Sequence, residues 1–161
     1  MISKEAVLLS LRSTPPVIME LVRSAPEQIL KIRPAAGWSI HEHACHLAFV
    51  QPIMMDRLDL ILRSDKPHIR GYQPGQSDDP DGLLQENLTD SLRRFITDRH
   101  AMTERIENLT DAEWTKEAVH EEYKAYSVAM MFRHLSMHDY LHAYRIEQLL
   151  IEKEGPFAIE G

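Results

Sequence analysis

The chain has 161 residues, enough for one domain, residues 1-161, to bury a core without disulfides or a partner. Its 43% hydrophobic and 27% charged residues suit a globular protein, and a net charge of -7 excludes sequence-independent grip on a nucleic-acid backbone. A single cysteine, Cys45, excludes an internal disulfide, while MISKEAVLLS lacks a signal-peptide core and no apolar run approaches the ~20 residues of a membrane span, so the expectation is a cytoplasmic protein with no membrane partner.

Taken in chain order, the first helical stretch runs from about Ser3 to Leu30, interrupted by Thr14-Pro15-Pro16. Thr14 reads there as an N-cap followed by proline in the first helical position, so a short leading helix hands over to the first bundle helix. Arg33 to Gly37 is a turn. Ser39-Ile40-His41-Glu42 is a capping box, and a helix follows it to about Arg63 with Pro52 kinking or locally adjusting it. Residues 64-82 are rich in proline, glycine and aspartate and read as a long loop of the kind that forms lids, binding segments or mobile linkers. The third helix covers about Leu83 to Leu109. Thr110 to Tyr126, with Trp114 and His120, reads as irregular or partly helical. The fourth helix spans about Ser127 to Glu154 with Ser127 as its N-cap, and no strand alternation or internal repeat appears.

The last two long helices each carry a seam. Leu88, Leu92, Phe95, Arg99, Met102, Ile106 and Leu109 follow alternating four- and three-residue steps in the third. Val128, Met131, Leu135, His138, His142, Arg145 and Leu149 do so in the fourth with the order of steps reversed. Such stripes turn inward in bundles with shallow crossing angles, so the fold class expected is all-α, an antiparallel four-helix bundle.

The chemistry lies in the histidines. Of nine, six fall in two short segments: His41, His43 and His46, then His134, His138 and His142. His138 and His142 sit one turn apart on the seam, where two imidazoles project side by side and can grip one ion. His134 lies further round the helix, among Met130, Met137 and Leu141. On the second helix His43 and His46 share a face with Val50, Ile53 and Leu60, and helical geometry does not separate them. His43 is the weaker ligand candidate because it occupies the first turn, where helices fray; His41 reads as solvent-facing. The pair His41-Glu42 does not open a zincin H-E-x-x-H, since Cys45 stands where the second histidine belongs, and Cys45 itself reads as a small buried hydrophobe. A ferritin-like di-iron site lacks its paired Glu-x-x-His motifs.

Gly37-Trp38-Ser39-Ile40 with His46 eight residues after the tryptophan, Arg99, Trp114 followed by His120, and HLSMHDYLHAYRI at 134-146 together resemble the DinB-like family, small four-helix metalloproteins related to thiol-dependent S-transferases and maleylpyruvate isomerases. The resemblance covers nearly the whole chain, with the tryptophan-to-histidine spacing and the ladder as its specific parts. It implies one divalent metal ion, such as zinc, nickel or iron, held by His46, His138 and His142. It departs at Arg145, where many members carry glutamine, and this bears on any carry-over of substrate.

Three neutral imidazoles leave a metal its full charge and open positions, which lowers the pKa of bound water or holds a thiol as thiolate. The expected function is a metal-dependent enzyme activating a thiol or water, a transferase or hydrolase, with a small-molecule substrate such as a low-molecular-weight thiol. The alternative is a non-catalytic stress-response or interaction protein that retains the site. Arg99 and Arg145 need partners on an apolar seam. The residues favour a salt bridge to an inward acid such as Glu42 or Asp139; beside a metal cavity, the two arginines are instead candidate substrate-binding residues for a carboxylate or phosphate. Apolar flanks on the fourth helix, Met130, Met137 and Leu141 on one side and Phe132 and Leu150 on the other, suggest a homodimer.

Overall fold

The computed structural model describes residues 3-71 and 81-154. Four long helices build the molecule: α1 (Lys4–Ser24), α2 (Ile40–Arg63), α4 (Leu88–Glu107) and α6 (Val128–Glu154). One-turn helices α3 (Gly82–Gln85) and α5 (Asp111–Trp114) precede and follow α4. α1 and α2 each pack against both α4 and α6, so the two consecutive helices lie across the bundle from each other. No helix among the described residues is long and apolar enough to cross a membrane.

Two sequence expectations change here. α1 is not interrupted at Thr14-Pro15-Pro16: it runs unbroken, capped by Ser3, whose hydroxyl accepts from the Ala6 amide at 3.2 Å. Proline at 15 removes the amide that would bond the Leu11 carbonyl. Arg99 supplies the missing donor, its Nη1 reaching that carbonyl at 3.2 Å. The helix therefore survives because a buried guanidinium from α4 takes the place of a backbone N–H.

The second change is a small sheet. β1 (His68–Ile69) pairs parallel with β2 (Glu117–His120), and β2 pairs antiparallel with β3 (Tyr126–Ser127). Strands this short show no legible alternation in sequence. They tie the connection after α2 to the one before α6. Of the loop expected at 64-82, residues 72-80 lie outside the described residues.

The core divides into two apolar clusters. One contains Leu11, Leu58, Met102, Ile106 and Phe132; the other contains Ile18, Ile40, Leu47, Phe95 and Ile146. A polar belt separates them, with one residue from each long helix: Thr14, Gln51, Arg99 and Asp139, all buried. Of the two apolar flanks on α6, only one is exposed. Met137 and Leu141 face solvent, whereas Phe132 is fully buried in the chain's own core, so that side needs no second copy to cover it.

Candidate metal centre

The entry to α2 is set by local chemistry. Gly37 adopts φ 110°, a left-handed conformation open to glycine at little cost, and turns the chain so that Trp38 precedes the helix. Ser39 then caps it: its hydroxyl accepts from the Glu42 amide at 3.3 Å, and Glu42 accepts from the Ser39 amide at 2.9 Å. Arg33 clamps the same carboxylate through Nε and Nη2, the latter at 2.6 Å. Burial alone would raise the Glu42 pKa, but Arg33 and the Ser39 donors hold it below the usual carboxylate range. The first turn of α2 is thus pinned rather than frayed.

This start aims His46 at α6. His46 Nε2 lies 3.1 Å from His138 Nε2, and His142 Nε2 lies 3.1 Å from the same atom. One nitrogen from each of the three rings falls within 4.8 Å of the others, a group that could hold a metal ion. The spacing fits. Metal–nitrogen bonds of ~2.0–2.1 Å separate neighbouring ligand nitrogens by ~3.3–3.4 Å at tetrahedral angles and ~2.8–3.0 Å at right angles. The two separations from His138 Nε2, both 3.1 Å, fall between those limits.

The electrostatics favour neutral rings with free lone pairs. Burial, reinforced by neighbouring imidazoles, pushes the pKa of His46 down to about 3 and that of His142 down to about 2. Protonating either would set a desolvated cation against other rings. Metal ligation needs the neutral form these surroundings impose.

Two further side chains hold the rings. Trp38 lies 4.8 Å from His46 and stacks on His142 at 5.9 Å between centroids, with 18° between planes. His43 Nδ1 lies 2.8 Å from His142 Nδ1, so one of these nitrogens carries the proton that bonds the other. A ligand role for His142 through Nε2 requires Nδ1–H, which makes His43 the acceptor. His138 Nδ1 is buried, and among the described residues it faces only Asp139, 4.0 Å away, a contact long for a hydrogen bond that still helps hold the Asp139 carboxyl low.

Neither candidate arginine belongs to the three-histidine group. Arg99 is fully committed to the polar belt: it reaches Asp139 Oδ2 at 2.5 Å and Oδ1 at 3.2 Å, and Gln51 Oε1 at 2.9 Å. Thr14 adds a hydroxyl to Asp139 Oδ2 at 3.0 Å. Burial would raise the Asp139 pKa, yet the Arg99 charge and these donors hold it low. Arg145 is exposed and donates to Gln148 at 2.9 Å. It is not on the buried stripe that the seam assigned to it.

Three smaller expectations also meet their outcome. His41 is buried, not solvent-facing, because α3 and the segment after it cover the start of α2. Cys45 is buried as expected, and burial pushes its thiol pKa up. His134 is exposed beside a cavity rather than among the ligands.

That cavity, about 210 Å³, opens beside the histidines, with His46 and His138 in its wall. Arg57, His120, Tyr123 and Tyr126 line the rest, with Met54 and Met131 beneath them. Sequence reasoning did not assemble this wall. Arg57 follows no motif, and the aromatic residues come from the short-sheet region whose folding the sequence does not announce.

Comparison with known proteins bears on the same residues. The DinB superfamily model matches residues 10-146, which include all three histidines. No curated protein matches the chain. The fold is similar to that of YfiT from Bacillus subtilis, described as a probable metal-dependent hydrolase with an unusual four-helix bundle topology. The TM-score is 0.83 at 20% identity, over 93% of this chain and 89% of that one.

Proposed function

The chain belongs to the DinB superfamily, and from that premise we propose that it is a metal-dependent enzyme whose His46, His138 and His142 hold one divalent ion, zinc, nickel or iron, at the edge of a substrate cavity. The observation that carries this reading is the convergence of three histidine ring nitrogens beside a cavity that has His46 and His138 in its wall. A purely structural zinc site would be closed by a fourth protein ligand, and among the described residues the ligand group contains three. A bound ion there supplies Lewis-acid activation of water or a thiol.

The chain's own residues do the rest. His43 fixes the orientation of His142, and Trp38 stacks on that ring. The pinned first turn of α2 keeps His46 in place. Tyr123, Tyr126 and Met131 supply apolar surface that keeps a substrate's body against the histidines.

Hydrolysis is the leading reading, in line with the description of YfiT. Thiol transfer is the second reading: Glu122, the sole carboxylate among the described residues lining the cavity, is exposed and outside the three-histidine group. Attack by water gains from a general base, whereas a thiolate needs none once formed.

The test loads the purified protein separately with zinc, nickel and iron(II), then assays small esters and amides alongside conjugation of low-molecular-weight thiols to an electrophile. Metal-dependent turnover that disappears with chelator and in His142→Ala is expected. Stoichiometric metal with no turnover in either assay favours a non-catalytic member that keeps the site.

A further inference from the structure

The cavity beside the histidines has a second pole, away from the three ligands. Arg57 projects from α2 into its wall and is only half-buried there. One of its terminal nitrogens donates to the Arg70 carbonyl at 2.8 Å, which anchors the side chain. Among the described residues no carboxylate lies within ion-pair distance of it, whereas six of the chain's twelve arginines have one. A guanidinium offers five donors in a planar fork that matches a carboxylate. The Tyr126 phenol also bonds the guanidinium, and the donors that these two partners do not use are left for a ligand.

His120 stands on the same wall and is almost fully buried. Its Nδ1 accepts from the Glu122 amide at 3.1 Å. That bond fixes the neutral tautomer, so Nε2 carries the hydrogen and the ring presents a donor on its remaining edge. Tyr123 and Tyr126 pack on the ring at 4.7 and 4.6 Å between centroids and make the adjoining surface aromatic. Glu122 also lines the cavity but is exposed and makes no ion pair with Arg57. Its one charge is outweighed by Arg57 together with a divalent ion on neutral imidazoles.

We propose that Arg57 and the Nε2–H of His120 form a carboxylate-recognition subsite, so that the substrate is a small carboxylic acid with an apolar or aromatic body lying between this pole and the three histidines. The proposal rests on the reading of the cavity as the substrate site of a metal enzyme. At about 210 Å³ the cavity is below the ~300–1,000 Å³ of pockets for drug-sized ligands, which restricts the substrate to a small molecule. Arg57 acts in specificity and carries no part of the bond-breaking chemistry.

The probes are 3-phenylpropionate and its amide, titrated calorimetrically into zinc-loaded wild type, Arg57→Leu and Arg57→Lys, with the zinc content of each sample measured in parallel. The acid is expected to bind at least about tenfold more tightly than the amide, the margin of a charge-assisted hydrogen bond. That preference should vanish in Arg57→Leu and return in part in Arg57→Lys, with one zinc per chain in all three. Equal binding of acid and amide, no binding of either, or an undiminished preference in Arg57→Leu overturns the subsite. Absence of zinc from the wild type would instead overturn the metal-enzyme reading, so the two failures are told apart.

Discussion

Two polar groups are buried at neighbouring levels of this bundle, and they are built on opposite principles. The belt of Thr14, Gln51, Arg99 and Asp139 matches a cation with an anion and gives nearly every donor an acceptor, down to the Leu11 carbonyl freed by Pro15. The histidine cluster, one residue along from Asp139, does the reverse. It brings one nitrogen from each of three rings within 4.8 Å of the others, two of the separations being 3.1 Å, and among the described residues the one carboxylate within 4.0 Å of these rings is Asp139, which Arg99 already holds. A satisfied network rigidifies a fold; a crowded set of lone pairs lacks a cation. Burial alone therefore does not separate structure from function, whereas the balance of donors and acceptors does.

The belt should carry the largest effect. Asp139→Ala leaves Arg99 charged and buried, so a loss of about 3–5 kcal/mol of stability by urea denaturation is expected. Arg99→Met combined with Asp139→Leu should recover part of it, because the charge then leaves with its partner while the Leu11 carbonyl and Gln51 lose their donor. A single variant as stable as wild type would break the comparison.

The histidine cluster should behave in the opposite way. His142→Ala is expected to change the stability of the metal-free protein by no more than about 1 kcal/mol. Wild type should gain about 2.7 kcal/mol from metal at a hundredfold excess over Kd, and the variant nothing. An unfolded His142→Ala by circular dichroism would make the site structural.

His43 sharpens the picture further. If its role is to accept from His142 Nδ1, His43→Ala should weaken metal binding by about 10–100-fold, and His43→Gln, which keeps an acceptor, by less. Competition with a chromophoric chelator measures both.

A smaller effect follows from pH. His43, His46 and His142 have pKa values pushed by burial to about 4, 3 and 2, below the ordinary 6.5. Above pH ~6.5 folded and unfolded chains alike hold these groups neutral. Below it the unfolded chain takes up protons that the folded chain refuses, so stability of the metal-free protein falls as pH drops from 6.5 toward 4. His142→Ala should flatten that slope, as denaturation at a series of pH values would show.

Much of the bundle was legible from periodicity. Phe95, Met102, Ile106, Met131 and Leu135 are all buried as their stripes require. Arg145 fails because the stripe assumed 3.5 residues per turn, while a straight helix keeps 3.6. Eighteen residues make five full turns, so the column that starts at Val128 returns at Ile146, which is fully buried, and Arg145 swings out. The spacing of His138 and His142 on a single turn survived this drift, and the choice of His46 over His43 came with the family resemblance. His43 remained unread because its function depends on a partner across the bundle. Arg57, His120 and Tyr123 were unread as a group because strands of two and four residues bring them together.

The most direct measurement of the central claim is metal stoichiometry. Wild type and the single alanine variants at His46, His138 and His142 are stripped with chelator, equilibrated with zinc and desalted, and bound metal is counted by elemental analysis. One ion per chain in wild type and almost none in each variant is the predicted result, with all four proteins folded. A wild type that retains no zinc, nickel or iron, or a His142→Ala protein that still holds one ion per chain, would contradict it.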